Sequence, residues 1–208
     1  MKTKYNKEYF EKYAQIILSK VINKDYENLT KSERPDFHDN NTSIGLEVTQ
    51  GMSTYEGNFN SFFNDNSGKV KTKEELLEEA KKRKLTPFIH QEGKITIYSS
   101  TVDLQCVNKK KKIVSESIIT KLKKLNKHYK TFKSNELFVF VDFSYNKFDI
   151  EEIIEIINFN MYKIKFDKIY LLCWDHIYIY KLKENFVIEV KIEEEILKRT
   201  KQEAFIPR

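Results

Sequence analysis

The chain is poor in the residues that break regular structure: its 208 positions include only 5 Gly and 3 Pro. Few turns can depend on left-handed backbone, so mostly regular helix and strand is expected. Cysteine is nearly absent. Cys106 and Cys173 stand far apart, which excludes a disulfide scaffold and fits reduced thiols in a cytoplasm. Cys173 and His176 have the spacing of half a metal site, but no second ligand pair accompanies them. A strand cysteine beside a turn histidine is the expectation. No apolar run approaches the length of a membrane span. The first ten residues carry lysines without an apolar core, unlike a secretory signal. These absences together lead to the expectation of a cytoplasmic protein that does not enter a membrane. Gly-rich phosphate loops, a Ser-His-Asp order and zinc patterns are missing too.

Hydrophobic residues make up 40% of the chain and aromatics 13%, enough for a packed core in place of disorder. The length suits a single domain over residues 1–208. The formal net charge is +6, unevenly spread: from Lys109 to Lys133 ten lysines face one acid, Glu116, giving +9 there and −3 elsewhere. Such a segment points to a polyanionic partner, nucleic acid foremost, with a merely solvated helix face as the other reading. Lys121, Lys124 and Lys127 are its candidate phosphate contacts. The 12 Tyr and 15 Phe fall mostly in apolar patterns, so core packing explains them better than base stacking.

Phe10, Tyr13, Ala14, Ile17, Leu18 and Val21 recur at helical spacing and predict an amphipathic helix over 5–22. Arg34 to His38 reads as a strand entry, with Pro35 where no ladder donor is needed. Asp39 to Thr42 is a turn signal. In Ile44 to Gln50, Ile44, Leu46 and Val48 alternate with Gly45, Glu47 and Thr49, so a hairpin is expected. Gly51 to Gly68 reads as a functional loop or flap, in which Phe59, Phe62 and Phe63 allow a short helix. A helix over 72–84 follows, with Thr72 and Glu75 as a capping box, then weak strand candidates at 94–99 and 102–107.

A further helix over 113–129 places Ile118, Leu122, Leu125 and Tyr129 on its apolar face. Residues 137–143 form a strand buried on both faces. The next helix is expected to be capped by Asp149 with Glu152 as its partner, and to bury Ile150, Ile153, Ile154, Ile157 and Met161. Strands at 168–174, 177–181 and 186–192 precede a terminal helix over 193–202. Two apolar strands joined by a helix predict a parallel pair within a mixed sheet, hence an α/β fold.

The chemistry concentrates near the start. Asp36 stands at a strand entry and Glu47, eleven residues later, at the centre of the next strand. Two carboxylates on adjacent strands repel and desolvate each other unless a cation lies between them. Mg²⁺ takes one or two carboxylates plus waters and phosphate oxygens. Glu11 borders the apolar face of the preceding helix, whereas Glu8 points away.

The run Glu33-Arg34-Pro35-Asp36-Phe37, followed by Ile44-Gly45-Leu46-Glu47-Val48-Thr49, resembles the signature of the PD-(D/E)XK nuclease superfamily. The resemblance covers mainly residues 5–50. It implies a restriction-endonuclease-like core: a helix, a hairpin-like set of strands, a helix and a further strand, in a mixed sheet flanked by helices. It implies that Asp36 and Glu47 hold Mg²⁺ or Mn²⁺, that Glu11 completes the site (Glu8 in reserve), and that DNA is cut, in some members by a homodimer. One position departs from the pattern. Thr49 stands where the family has its lysine, and a hydroxyl cannot supply that charge. Either a lysine reaches in from elsewhere (Lys69, Lys71, Lys73 or Lys82), or the chain is a catalytically inactive module that binds nucleic acid or protein. Gln50 faces the other side of the strand. His38 shares the face of Asp36 if the strand continues, and is expected to be a turn-flanking surface residue.

Overall fold

Asn6 starts the first helix: its Oδ1 accepts the Tyr9 N–H at 2.9 Å, satisfying one of the donors left open at a helix start. The computed structural model describes residues 6–205 apart from residues 40, 42, 53, 67–68, 90–94, 98–105 and 142–144. In chain order the elements are α1 (Lys7–Val21), a 3₁₀ turn (Lys24–Asn28), β1 (Thr30–Lys31), β2 (Phe37–Asp39), β3 (Ile44–Gln50), α2 (Thr54–Asn66), α3 (Lys73–Lys82), β4 (Pro87–Ile89), β5 (Ile95–Ile97), α4 (Cys106–Lys127), β6 (Ser134–Val141), α5 (Lys147–Asn158), β7 (Lys168–Cys173), β8 (His176–Lys181), β9 (Phe186–Lys191) and α6 (Glu194–Ala204).

Seven strands form one mixed sheet in the order β1-β2-β3-β6-β7-β8-β9, while β4 and β5 pair separately. β1, β2 and β3 form an antiparallel meander; β3, β6 and β7 run parallel; β8 and β9 continue antiparallel. The protein is therefore α/β, with helices on both faces of the sheet. Strand alternation sorts the core into two layers. Leu46, Val48, Phe138, Tyr170 and Ile177 pack with Ala14, Ile17 and Leu18 of α1 and Ala204 of α6. Leu137, Val139, Ile169 and Leu171 pack with Ile118 and Leu122 of α4 and Ile150, Ile153 and Ile157 of α5. Gly45 is set by close approach: a Cβ there would lie 2.4 Å from the Phe132 ring.

One carboxylate is sealed inside this frame. Glu136 of β6 is fully buried, and its two oxygens accept from Tyr26 (2.6 Å), Ser134 (2.8 Å), Lys168 (2.9 Å) and Tyr170 (3.2 Å). Its lone pairs are met from four directions, as a buried charge requires. It ties the 3₁₀ turn after α1 to the sheet. Burial pushes the Cys173 thiol up to about 12, in keeping with an inert strand cysteine.

Several expectations are corrected. α5 is capped by Asn146, with Asp149 as the reciprocal partner, not by Asp149 with Glu152; Lys111 instead claims Asp149 (2.8 Å) and Glu152 (2.5 Å). Met161 lies beyond α5 and is 99% exposed, because the helix ends at Asn158 before the stripe can reach it. Of the strand expected at 102–107, residues 102–105 lie outside those described and Cys106 opens α4. Of the two readings of the stretch 51–68, flap or short helix, the helix is what forms, as α2, whose Phe62 packs with Ala80 and Leu85 in a small separate core. The Thr72–Glu75 capping box forms as expected. Among the described residues no helix is long and apolar enough to cross a membrane.

Candidate metal and phosphodiester site

Asp36 reaches its place through the loop before β2. The Ser32 N–H donates to the Asp36 carbonyl at 2.8 Å, and the Ser32 hydroxyl donates to the Pro35 carbonyl. The Asp36 side chain, 1% exposed, accepts the Val48 N–H on Oδ2 at 2.9 Å. A strand donor of β3 thus fixes the carboxylate beside its own strand.

Glu47, 3% exposed, sits on the face of β3 opposite Leu46 and Val48, as alternation requires. That face looks toward α4. Lys121 Nζ lies 2.5 Å from Glu47 Oε1, and the Tyr129 hydroxyl donates to the same oxygen at 2.7 Å. Glu47 Oε2 is buried and takes no hydrogen bond from the described residues. Burial pushes the Glu47 carboxyl above its ordinary range, and the negative charge of Asp36 pushes the same way; Lys121 and Tyr129 pull against both. Burial and the Glu47 charge together raise the Tyr129 hydroxyl, so it acts as a donor.

Glu11 is 4% exposed and belongs with this group. Lys7 Nζ lies 3.0 Å from both Glu11 Oε1 and Asp36 Oδ1. Lys31 approaches Glu11 Oε2 at 3.2 Å and Glu8 at 3.9 Å. Lys7 is raised above the usual ammonium range: its own burial opposes the shift, and its bonds to Glu11 and Asp36 outweigh it. A cavity of 380 Å³ opens over Asp36 and Glu47, with Lys7, Lys121, Lys124, His128 and Tyr129 in its wall.

All three carboxylates expected from the sequence are therefore buried here: Lys7 bridges Glu11 and Asp36, and Lys121 pairs with Glu47. Thr49 lies along β3 in a neighbouring cavity that Glu11 and Lys121 also line. The four lysines considered as replacements do not reach in. Lys71 pairs with Glu79 at 2.5 Å and Lys82 with Glu78 at 2.9 Å, while Lys69 and Lys73 are exposed. Lys121, expected from the sequence to be a phosphate contact, instead lies against Glu47 and lines the cavity that Thr49 borders. Lys124 and Lys127 are exposed on α4. Tyr129 lies past the end of α4 and bonds Glu47 while packing partly against the core. His38 stacks on Phe132, ring centroids 5.6 Å apart.

Among the described residues no three His, Cys, Asp or Glu side chains are grouped so as to hold an ion unaided. Two carboxylates suffice for Mg²⁺ when waters and substrate oxygens complete the octahedron. The unpartnered, buried Glu47 Oε2 is the kind of atom such an ion satisfies.

No protein-family model, no curated protein and no solved structure matches this chain.

The lysine bridge gives a direct test of the cation reading. Lys7→Met leaves Glu11 and Asp36 facing each other without the ammonium between them. The Lys7 side chain is 75% exposed, so solvent screening limits the expected loss to about 1 kcal/mol. Urea melts should show that loss without divalent ions and its recovery in Mg²⁺. An unchanged midpoint in both conditions would mean the bridge contributes nothing.

Proposed function

We propose that this protein is a metal-dependent nuclease of the PD-(D/E)XK kind that hydrolyses phosphodiester bonds, with DNA as its favoured substrate. The observation that carries this reading is the placement of Lys121 against Glu47, beside Asp36, in one cavity. The charge absent at Thr49 is supplied from α4. The order of elements supports it as well: α1, then a three-stranded antiparallel meander with Asp36 just before its second strand and Glu47 in its third, then, after α2, α3 and the β4–β5 pair, α4 and a strand parallel to β3.

Asp36 and Glu47 would hold Mg²⁺ or Mn²⁺. Held by these two side chains, such an ion would supply Lewis-acid polarisation of the phosphodiester and a lowered pKa for a water. Lys121 offsets negative charge developing on the phosphoryl oxygens, and Tyr129 keeps Glu47 oriented. Glu11 and Lys7 act at the rim, Glu11 as an acceptor that steadies Lys7. Lys124 lies at the cavity mouth and Lys127 one turn further along α4; both are placed to follow a phosphate backbone, which gives affinity without sequence choice.

A second reading draws on the same ion pairs. Lys7 and Lys121 already neutralise Asp36 and Glu47, so the chain could bind nucleic acid or protein without cutting. The deciding experiment incubates the wild-type chain with plasmid, single-stranded and branched DNA in Mg²⁺, Mn²⁺ or EDTA. Cutting in either metal and none in EDTA is the expected result. No cutting on any substrate, with DNA binding that ignores Asp36→Ala, would replace the nuclease by the binding module.

A further inference from the structure

The second half of β3 has an open edge. Its pairing with β2 ends at Leu46, which is opposite Phe37, while β6 pairs with it as far as Gln50. Asp36 takes the Val48 N–H on the open side. Beyond that point a cleft of 660 Å³ borders Val48, Thr49 and Gln50, walled by α1 on one side and α2 on the other. Binding at the carboxyl end of a parallel strand is the usual arrangement in open α/β sheets, and the volume is that of a small-molecule cleft.

The cleft has two chemical characters. Lys7 and Lys121 stand in its wall and also in the wall of the carboxylate cavity, so they join the two spaces. Away from them Phe10, Met52 and Phe63 give the cleft an apolar, aromatic part, beside the polar Ser61 and Asp65 of α2 and Glu11 of α1. Phe63 is 58% exposed, and Phe59 stacks against it at 6.3 Å with the rings 17° apart, fixing the plane it presents. Phe10 is held edge-on by Phe140 at 5.0 Å. An anion at one end and a flat apolar group at the other is the outline of a nucleotide. A base stacked within a duplex cannot offer its face to Phe63, whereas an unpaired one can.

We infer that this cleft takes the unstacked base of a nucleotide whose phosphate lies at Lys7 and Lys121, so that the preferred substrate is nucleic acid with an unpaired strand at the point of cutting. The inference rests on the nuclease reading and adds the substrate class. It assigns Phe63 a stacking role and Gln50, at the open edge, contact with the edge of the base.

The test uses the full chain in EDTA, where no cutting confuses the binding. A short single strand carrying 2-aminopurine and the duplex of the same sequence are the probes. Wild type should bind the single strand at least about tenfold more tightly and quench the 2-aminopurine. Phe63→Ala should lose the quenching and about tenfold of single-strand affinity, the size expected for one base–aromatic stack, with duplex affinity unchanged. Gly57→Phe provides an independent variant that fills the cleft. A Cβ at Gly57 meets only Met52 Sδ at 3.8 Å, an ordinary contact; this variant should exclude the single strand likewise. Equal affinity for both probes, or single-strand binding untouched by both variants, would overturn the inference while leaving the nuclease reading intact. Binding of neither probe would overturn the nucleic-acid reading itself.

Discussion

Glu47→Ala is expected to lower metal-dependent cutting by about 10³-fold or more while leaving DNA affinity nearly unchanged. The magnitude follows from the chemistry assigned to the site. A bound divalent ion stabilises transition-state charge by several kcal/mol, and each 1.36 kcal/mol is about tenfold in rate. Affinity should survive because exposed lysines such as Lys124 and Lys127 lie on α4, and Lys121 is released from its pair. Stability should fall. Glu47 is buried with one oxygen unpartnered, which limits what it contributes, but its removal strands the largely buried Lys121 ammonium, a loss of up to about 3–5 kcal/mol, so rates and affinities are compared below the variant's melting transition.

Thermal melting gives the same test without catalysis. An ion at about 100 times its Kd stabilises the folded chain by about 2.7 kcal/mol, or roughly 5–10 °C for a chain of this size. Wild type should show that rise in Mn²⁺, and Glu47→Ala should not. The rise should also depend on pH. The folded pKa of Glu47 lies above its unfolded value, so the folded chain holds this proton more tightly. Glu47 therefore favours folding at acid pH, and that contribution is lost as pH climbs through the raised pKa. An ion binds the deprotonated form and reverses the loss, so the ion-induced rise in Tm should be larger near pH 8 than near pH 5. Cutting by Glu47→Ala at the wild-type rate would remove the assignment.

The carboxylates were legible in the sequence because each rests on a local rule. Period-two alternation put Glu47 opposite Leu46 and Val48, and helical spacing put Glu11 at the edge of a buried stripe; both placements hold. Lys121 carried a signal that was read differently. Val114, Ile118 and Leu125 mark the buried face of α4, and Lys121, seven residues after Val114, falls on that same face. A lysine at a core-facing position needs a buried partner, but which partner depends on β3 and β6 running parallel, a long-range fact. The same limit applies to Asp149: local spacing offered Glu152 as its reciprocal partner, and tertiary contact gave both acids to Lys111. Tyr129 fitted the helical stripe, but the helix stops at Lys127, and two residues of non-helical chain turn its hydroxyl toward Glu47. The Lys7 bridge depends on the loop that carries Asp36, whose course no periodicity encodes.

Lys121→Met is the second change with a large expected effect. Methionine keeps most of the apolar stem and removes only the ammonium. Cutting should fall by about 10²- to 10³-fold, the usual cost of losing one group that stabilises transition-state charge. The pH profile should change shape as well. Lys121 is the strongest of the groups holding Glu47 down against burial and the Asp36 charge. Without it Glu47 ionises later, so the acid limb of the rate profile should move to higher pH, and part of the lost activity should return as pH rises. Lys124→Met is the control. Lys124 is exposed at the cavity mouth, so its loss should flatten the salt dependence of DNA binding and leave the acid limb in place. Thr49 and Lys121 line one cavity, which makes a rescue possible: Thr49→Lys in the Lys121→Met background returns a positive charge from the strand, in the position the family pattern uses. Recovery of cutting in the double variant would establish that the charge matters and its origin in α4 does not. Wild-type rates and an unmoved acid limb in Lys121→Met would instead make Lys121 a structural counter-ion for Glu47, and the source of positive charge at the phosphodiester would have to be Lys7, which already touches Asp36 at 3.0 Å.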